Sequence, residues 1–234
     1  SWILKIYAAS GFPKLITNTL LAKILPQTFV FQQHLLPECS GVSFKRKHAD
    51  EIIPPLPTGV KQENAAQIRK KNLRVGMFSG CIMDVSESVI HESTLTILRH
   101  IGCEVVVPGN QSCCGALHVH SGDRTTAREF ALKNIAAFEN RHLDAIITNA
   151  AGCGAQLQEY HYLFTGATSE TQKEGRSTTD WKNFENKVID ILEFLSAYPQ
   201  LLVSLPWCKD EDTVLYDAPC HLMHAQKVDE NPRK

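Results

Sequence analysis

The sequence predicts an α/β fold: a parallel sheet with crossover helices, preceded by a short helical segment. Three features carry that expectation. Apolar runs of strand length, rich in Val and Ile, open at Leu73, Cys103 and Asp144. Each is followed by a stretch with helical character, two of them with apolar residues at helical spacing. Small residues stand where strand gives way to helix, at Gly80-Cys81, Pro108-Gly109 and Ala151-Gly152-Cys153-Gly154. Parallel strands need long crossover connections, and helices of this length supply them.

Residues 1–38 are rich in Leu, Ile and aromatics and are broken by Pro13, Pro26 and Pro37, which predicts two or three short helices. They would pack on a neighbouring domain or form a peripheral membrane face. Residues 39–60 read as a linker, because Pro54-Pro55-Leu56-Pro57 favours extended geometry. The first strand covers residues 73–79 and the helix after it about 84–101, with Ile90, Ile97, Leu98 and Ile101 on one face and Asp84 or Ser86 as its cap. A second strand covers residues 103–107. The helix at about 123–140 carries Ala127, Phe130, Ala131, Ile135 and Phe138 as an apolar stripe, with Asp123 and Arg124 as ordinary first-turn residues. A third strand over 144–149 leads into a short helix ending near Leu163. Residues 165–180 are a polar excursion. Val188, Ile191, Leu192 and Leu195 predict an amphipathic helix, and residues 213–217 a further strand running into Cys220-His221. That last stretch echoes the first: Val75 precedes Cys81, and Val214 precedes Cys220, by the same interval. A tandem repeat of one α/β unit accounts for the echo. The domains are therefore set at 1–60, 61–205 and 206–234, the last being the truncated start of a second unit. The composition of both ends leads to the expectation that the chain is a piece of a longer protein.

A formal net charge of −1 gives no electrostatic case for nucleic acid as partner. No apolar run is long enough for a spanning helix, and no secretory signal is expected at Ser1. The eight cysteines then read as reduced and cytoplasmic, suited to metal or redox chemistry rather than to stapling the fold.

Among them Gln111-Ser112-Cys113-Cys114-Gly115 stands out. A disulfide between neighbours strains the backbone, whereas two thiols on one tight turn suit a metal or cluster. Cys81, Cys113, Cys114 and Cys153 all follow strands, so they fall at the carboxyl edge of a parallel sheet, where ligands bind. Four thiols are the usual complement of an iron–sulfur cluster; zinc takes the same donors and is the competing ion. Cys103, Cys39 and Cys208 read as ordinary packing or loop cysteines. His118, His120, His221 and His224 are further candidates. Structural roles are the plainer reading for each, and His221, beside Cys220, is the strongest candidate ligand. No G-x-G-x-x-G fingerprint follows any strand, and no residue stands out as a catalytic acid, base or nucleophile.

Gly80-Cys81, Cys113-Cys114-Gly115 and Gly152-Cys153-Gly154 together resemble the cysteine-rich CCG domain family. That family includes heterodisulfide reductase subunits, anaerobic glycerol-3-phosphate dehydrogenase, lactate-utilisation proteins and glycolate oxidase iron–sulfur subunits. Residues 149–160 are similar to the first cysteine-rich unit of the glycolate oxidase subunits, and Tyr216-Asp217-Ala218-Pro219-Cys220-His221-Leu222 to the start of their second. The resemblance implies an iron–sulfur electron-transfer subunit of a glycolate (2-hydroxy-acid) oxidase or dehydrogenase. It would pass electrons from flavoprotein subunits to a membrane or quinone acceptor, in the cytoplasm or peripherally on the inner membrane. It implies Cys81, Cys113, Cys114, Cys153 and Cys220 as cofactor-binding residues, with a 4Fe–4S cluster of cubane or non-cubane type. It also implies ferredoxin-type clusters upstream, whose cysteine runs this sequence lacks. The family's last Cys-x-x-Cys thiol is Gln156 here, so five thiolates are not complete within the first unit. Two other readings stay open: a zinc-binding or metal-free structural or partner-binding module, and a thiol/disulfide oxidoreductase of heterodisulfide reductase type.

Overall fold

The computed structural model describes residues 7, 10–19, 21–34, 42–56, 73–164, 178–202, 213, 215–230 and 232. Its centre is a five-stranded sheet of order β1-β3-β2-β4-β5. The strands are β1 (Ile52–Ile53), β2 (Arg74–Phe78), β3 (Glu104–Val106), β4 (Ala145–Thr148) and β5 (Val188–Asp190). All neighbours pair in parallel except β1, which runs antiparallel along β3. The predicted α/β class is the observed one.

The central strands are buried on both faces, as parallel strands are when helices cover both sides. Val75, Met77, Val105 and Ile147 face one core, with Leu95, Leu98 and Phe194. Phe78, Val106 and Ile146 face the other, with Ala131, Ile135, Phe138, Leu157 and Tyr160. The helices after β2 are α5 (Met83–Ser86) and α6 (Ser88–His100); after β3 come α7 (Ala116–His120) and α8 (Arg124–Phe138). α6 supplies the first core and α8 the second, so the chain winds outward from β2 in both directions. This creates a switch point between β2 and its neighbours, where a crevice opens at the strands' carboxyl ends.

Several expectations are corrected by packing. The helix predicted over 84–101 is two helices, broken at Glu87. Of the predicted stripe Leu98 and Ile101 are buried, whereas Ile90 is exposed; the buried face also takes in Leu95 and the polar His91 and Thr94, which find hydrogen-bond partners in Ser79 and Asn149. Asp84 does not cap its own helix; it accepts hydrogen bonds from Ser43 Oγ and the Lys45 amide. Residues 42–56 are not a linker: a short helix α4 (Phe44–His48) buries Phe44 completely, and β1 extends the sheet. The amphipathic helix predicted from Val188 is β5 followed by α12 (Ile191–Ser196), since Val188–Asp190 can pair with β4. The strand predicted over 213–217 is absent among the described residues. Among the described residues no strand pairs with this stretch, and Leu215 stands open to solvent. The loop predicted over 165–180 gives way to helix α11 (Thr178–Glu185), its earlier part lying outside the described residues. α9 (Ala151–Gln158) begins at Ala151, so Cys153 sits in a first helical turn, and α10 (His161–Phe164) follows it. Asp123 caps α8 through its side chain, a role more specific than first-turn composition implied.

Near the N-terminus α1 (Phe12–Asn18), α2 (Leu21–Ile24) and α3 (Gln27–His34) realise the predicted short helices. α13 (Pro199–Leu202) follows α12, and a π-helical turn (His221–Ala225) packs near the end of the chain. Among the described residues no helix is long and apolar enough to cross a membrane.

Candidate cluster site at the sheet edge

A cavity of about 290 Å³ opens at the carboxyl ends of β2 and β4. Cys81, Cys113, Cys114 and Cys153 all line it, with Phe78, Ile82 and Leu117 among its apolar walls. Three separate loops thus deliver four thiols to one place. Cys220 and His221 do not line it; His221 lies over His120, ring centroids 6.2 Å apart. His118 packs edge-on against Phe130, and His224 is exposed on the π-helical turn. Cys103 is fully buried in the core, where burial pushes its thiol up to about 12, as suits a packing residue. Cys39 and Cys208 lie outside the described residues.

The double-cysteine turn is held from below by buried polar groups. Asn134 accepts the Ser112 amide at 2.7 Å and donates to the Cys113 carbonyl at 2.9 Å and the Tyr160 hydroxyl at 2.8 Å. Tyr160 in turn donates to the Cys114 carbonyl at 3.0 Å. Burial keeps this phenol well above its ordinary pKa, so it remains a donor. Gln111 acts as an extra strand partner: its amide donates to the Met77 carbonyl and accepts from the Ser79 amide. Gly115 has φ 87°, a left-handed backbone conformation that L side chains rarely adopt, so the turn favours glycine there.

The loops after β2 and β4 are joined by a second network. His91 Nε2 lies 3.0 Å from the Ser79 carbonyl, which only accepts, so the proton sits on Nε2. Nδ1 then accepts from the Asn149 amide at 2.9 Å, and Thr94 donates to the Asn149 oxygen. Sequence reasoning missed Asn134, Tyr160, Gln111 and His91. One signal was available: His91, Thr94 and Asn134 are polar residues at helix positions whose spacing places them on the core face.

The thiols form a hydrogen-bonded group. Cys81 donates to Cys113 with a sulfur–sulfur distance of 3.4 Å. The Cys113 thiol is pulled far below its ordinary pKa, first by the Cys114 thiol, then by Cys81, with the Gly115 amide and His118 adding to the effect. Cys153 is lowered by its bond with Cys114. Cys81 and Cys114 shift upward, chiefly because they donate to these acceptors and also because they are buried. Within the group the hydrogen bonds thus favour the thiolate at Cys113 and Cys153 and the thiol at Cys81 and Cys114.

Thiolate-rich donor sets of this kind could hold an iron–sulfur cluster or a zinc ion. Sulfurs around a tetrahedral zinc with ~2.3 Å bonds stand ~3.8 Å apart. Among the described residues no group of three or more His, Cys, Asp or Glu has the spacing of a single ion's shell. The cavity has room for a larger group, and no carboxylate side chain lines it. The Ser79 hydroxyl on its wall is buried without a hydrogen-bond partner, as is His118 Nδ1 close behind the double cysteine. The donor set and the room both fit a cluster.

Comparison with known proteins bears on the same residues. The Cysteine-rich domain family CCG matches residues 75–158, the span from β2 through α9. The chain is similar to the "Probable glycolate oxidase iron-sulfur subunit" of Bacillus subtilis, at 31% identity over 99% of this chain and 48% of that protein. It is also similar to a fumarate reductase (CoM/CoB) subunit of Methanothermobacter marburgensis, at 32% identity over 69% of this chain and 28% of that protein. "Lactate utilization protein A" of a Geobacillus species matches at 27% identity over 69% of this chain and 63% of that protein. The chain spans about half the length of the Bacillus subtilis relative, 48%. No solved structure matches. Residues 75–158, with their Cys-Cys-Gly turn, are thus a cysteine-rich domain of the CCG family.

Proposed function

We propose that this chain is an iron–sulfur electron-transfer component of an oxidoreductase acting on glycolate or another 2-hydroxy acid. In this reading Cys81, Cys113, Cys114 and Cys153 hold a cluster of the 4Fe–4S class. The observation that carries it is the convergence of four thiols from three loops on one cavity at the sheet's switch point. The similarity to a glycolate oxidase subunit over 99% of the chain supports the substrate class.

A bound cluster would supply reversible one-electron transfer without moving a substrate atom. The chain's own residues do the rest. Asn134 and Tyr160 fix the Cys113-Cys114 turn by its carbonyls, so the thiols need little reorganisation. Phe78, Ile82 and Leu117 restrict water at the thiols, which tunes potential through the local dielectric. Cys81 is exposed at the rim and marks the side from which an electron enters or leaves. Substrate oxidation belongs to separate flavoprotein subunits, and a membrane or quinone acceptor takes the electrons. Cys220, with His221 as a candidate ligand, belongs to a separate site away from this cavity. Gln156 stands where the family pattern has its last thiol, so a four-thiolate cluster suits the first site better than a five-thiolate one.

Anaerobic reconstitution with ferrous iron and sulfide tests the reading. Broad visible absorption with matched iron and sulfide is expected. Cys113→Ser and Cys153→Ser should each lose most of the bound iron, and Cys220→Ser should retain it. Retention of zinc alone, with no iron or sulfide, would favour the structural module and overturn the proposal.

A further inference from the structure

The hydrogen-bond chain on the wall of the thiol cavity has a second arrangement open to it. His91 is 1% exposed and Thr94 5%, so both bury polar groups on the core face of α6. His91 also lines the cavity, as does Asn149. His91 Nε2 donates to the Ser79 carbonyl, Asn149 donates to Nδ1, and Thr94 donates to the Asn149 oxygen. A buried imidazole whose Nδ1 faced a backbone amide would be fixed as neutral. Here the donor is a carboxamide, which carries an acceptor on the same carbon. Turning that group over presents its oxygen to a protonated Nδ1 and its nitrogen to Thr94 Oγ1. The Thr94 proton can then turn to the carbonyl one helical turn back, as those of Ser93 and Thr96 already do on α6. The Ser79 bond is the same in both arrangements. Neutral and charged imidazole thus each keep every member of the triad paired, and an unpaired buried group is what ordinarily opposes such a change.

We infer that His91 takes up one proton at Nδ1 when a cluster in the adjoining cavity gains one electron, and returns it when the electron leaves. The inference rests on the proposed cluster. The electron comes from a reduced flavoprotein in the proposed complex and the proton from solvent; no bond to a substrate forms or breaks. An added negative charge near a buried imidazole favours its protonated form, because a low-dielectric wall screens the pair weakly. Burial holds this imidazole below its ordinary value, and the Ser79 carbonyl, Asp84 and Glu92 oppose that only in part. The neighbouring charges are already committed. Asp84 on α5 accepts from Ser43 and the Lys45 amide. Glu92 on α6 pairs with Lys47 and His48 of α4, and α4 meets His91 itself with the Phe44 ring, centroids 5.1 Å apart. The Lys45 ammonium bonds the Gln111 carbonyl. On the cavity side stand the thiols of Cys81, Cys113, Cys114 and Cys153. A change of charge held by those sulfurs is the one that His91 has left to answer.

Redox titration of the anaerobically reconstituted chain between about pH 5 and 8 reads the coupling. The midpoint potential of the parent is expected to fall as pH rises. One proton per electron moves the equilibrium tenfold per pH unit, about 59 mV, and the parent should approach that limit. H91Q keeps a donor for Ser79 but takes up no proton. It should hold iron and sulfide as the parent does and lose most of the slope. Should H91Q fail to take up iron, N149D is read in the same way, because its carboxylate only accepts and keeps the proton on Nδ1 in both redox states. A parent potential that does not move with pH overturns the inference. So does a slope that the variant keeps, since another group, His118 first, would then carry the proton. A parent that binds no iron and sulfide overturns the cluster reading, and the inference with it.

Discussion

Cys113 and Cys114 point into the cavity because their carbonyls are occupied elsewhere. One side chain, Asn134, bonds the Ser112 amide, the Cys113 carbonyl and the Tyr160 hydroxyl, and Tyr160 carries the hold on to Cys114. Buried groups left unpaired cost about 1–3 kcal/mol each, more than a net hydrogen bond returns. Asn134→Ala strands an amide and a carbonyl at once. Allowing for partial relaxation, it is expected to destabilise the chain by roughly 2–4 kcal/mol in urea denaturation. Iron uptake on reconstitution should fall with it. Tyr160→Phe, which removes one bond to Cys114 and one from Asn134, should cost less. Equal stability of Asn134→Ala and the parent would show that the turn does not depend on this cage. The thiols of the site were legible in the sequence because their residue types and glycine neighbours are local features. The cage was not, since Asn134 and Tyr160 reach the turn from 21 and 46 positions away.

At the level of elements, Asp84 shows how a local rule can be used at a distance. Its place near the start of a helix makes it look like a cap for that helix. In the structure its carboxylate accepts the Lys45 amide at 2.7 Å and the Ser43 hydroxyl at 2.6 Å. It therefore satisfies a first-turn amide of α4, holds that helix's own cap Ser43, and ties the helix to the segment that follows Cys81. Capping losses run at about 0.5–2 kcal/mol. Asp84→Ala is expected to lie at or above the upper end of that range, about 2 kcal/mol, because a second bond goes with it. Hydrogen exchange at the Lys45 and Arg46 amides should rise before exchange in β2 does. Unchanged protection at Lys45 would refute the assignment. The element boundaries that the sequence got wrong share one cause. Val188, Ile191, Leu192 and Leu195 satisfy a helical spacing, yet Val188–Asp190 finds β4 and becomes strand. Residues 213–217 have a strand's composition, yet among the described residues they form no strand of the sheet. Spacing reports which side chains want burial; pairing decides which backbone satisfies it.

For the molecule as a whole, the cavity depends on β2 and β4 ending side by side, and His91 links those two ends. Burial holds this imidazole below its ordinary value of 6.5; the Ser79 carbonyl and the nearby Asp84 and Glu92 charges only partly oppose that. The native state therefore binds this proton less readily than the unfolded chain does. The sign follows from linkage. This contribution is complete above the unfolded value and is lost as pH falls from there through the lower folded value. The urea midpoint is expected to be lower at about pH 5.5 than at about pH 7.5. His91→Gln, which cannot charge but can still bond, should flatten part of that slope. An unaltered slope would assign the effect to other histidines.

The sequence by itself determined the α/β class and the thiols, because period, composition and Cys-Cys-Gly are properties of neighbouring residues. It also carried the echo between Cys81 and Cys220. Only the tertiary structure decided that Cys81, Cys113, Cys114 and Cys153 share one cavity while Cys220 and His221 stand outside it. It alone decided that residues 42–56 complete the sheet. The physical reason is that burial and hydrogen-bond partnership are relations between segments distant in the chain. A one-dimensional pattern can state what each segment needs, but only the packed fold shows which partner supplies it.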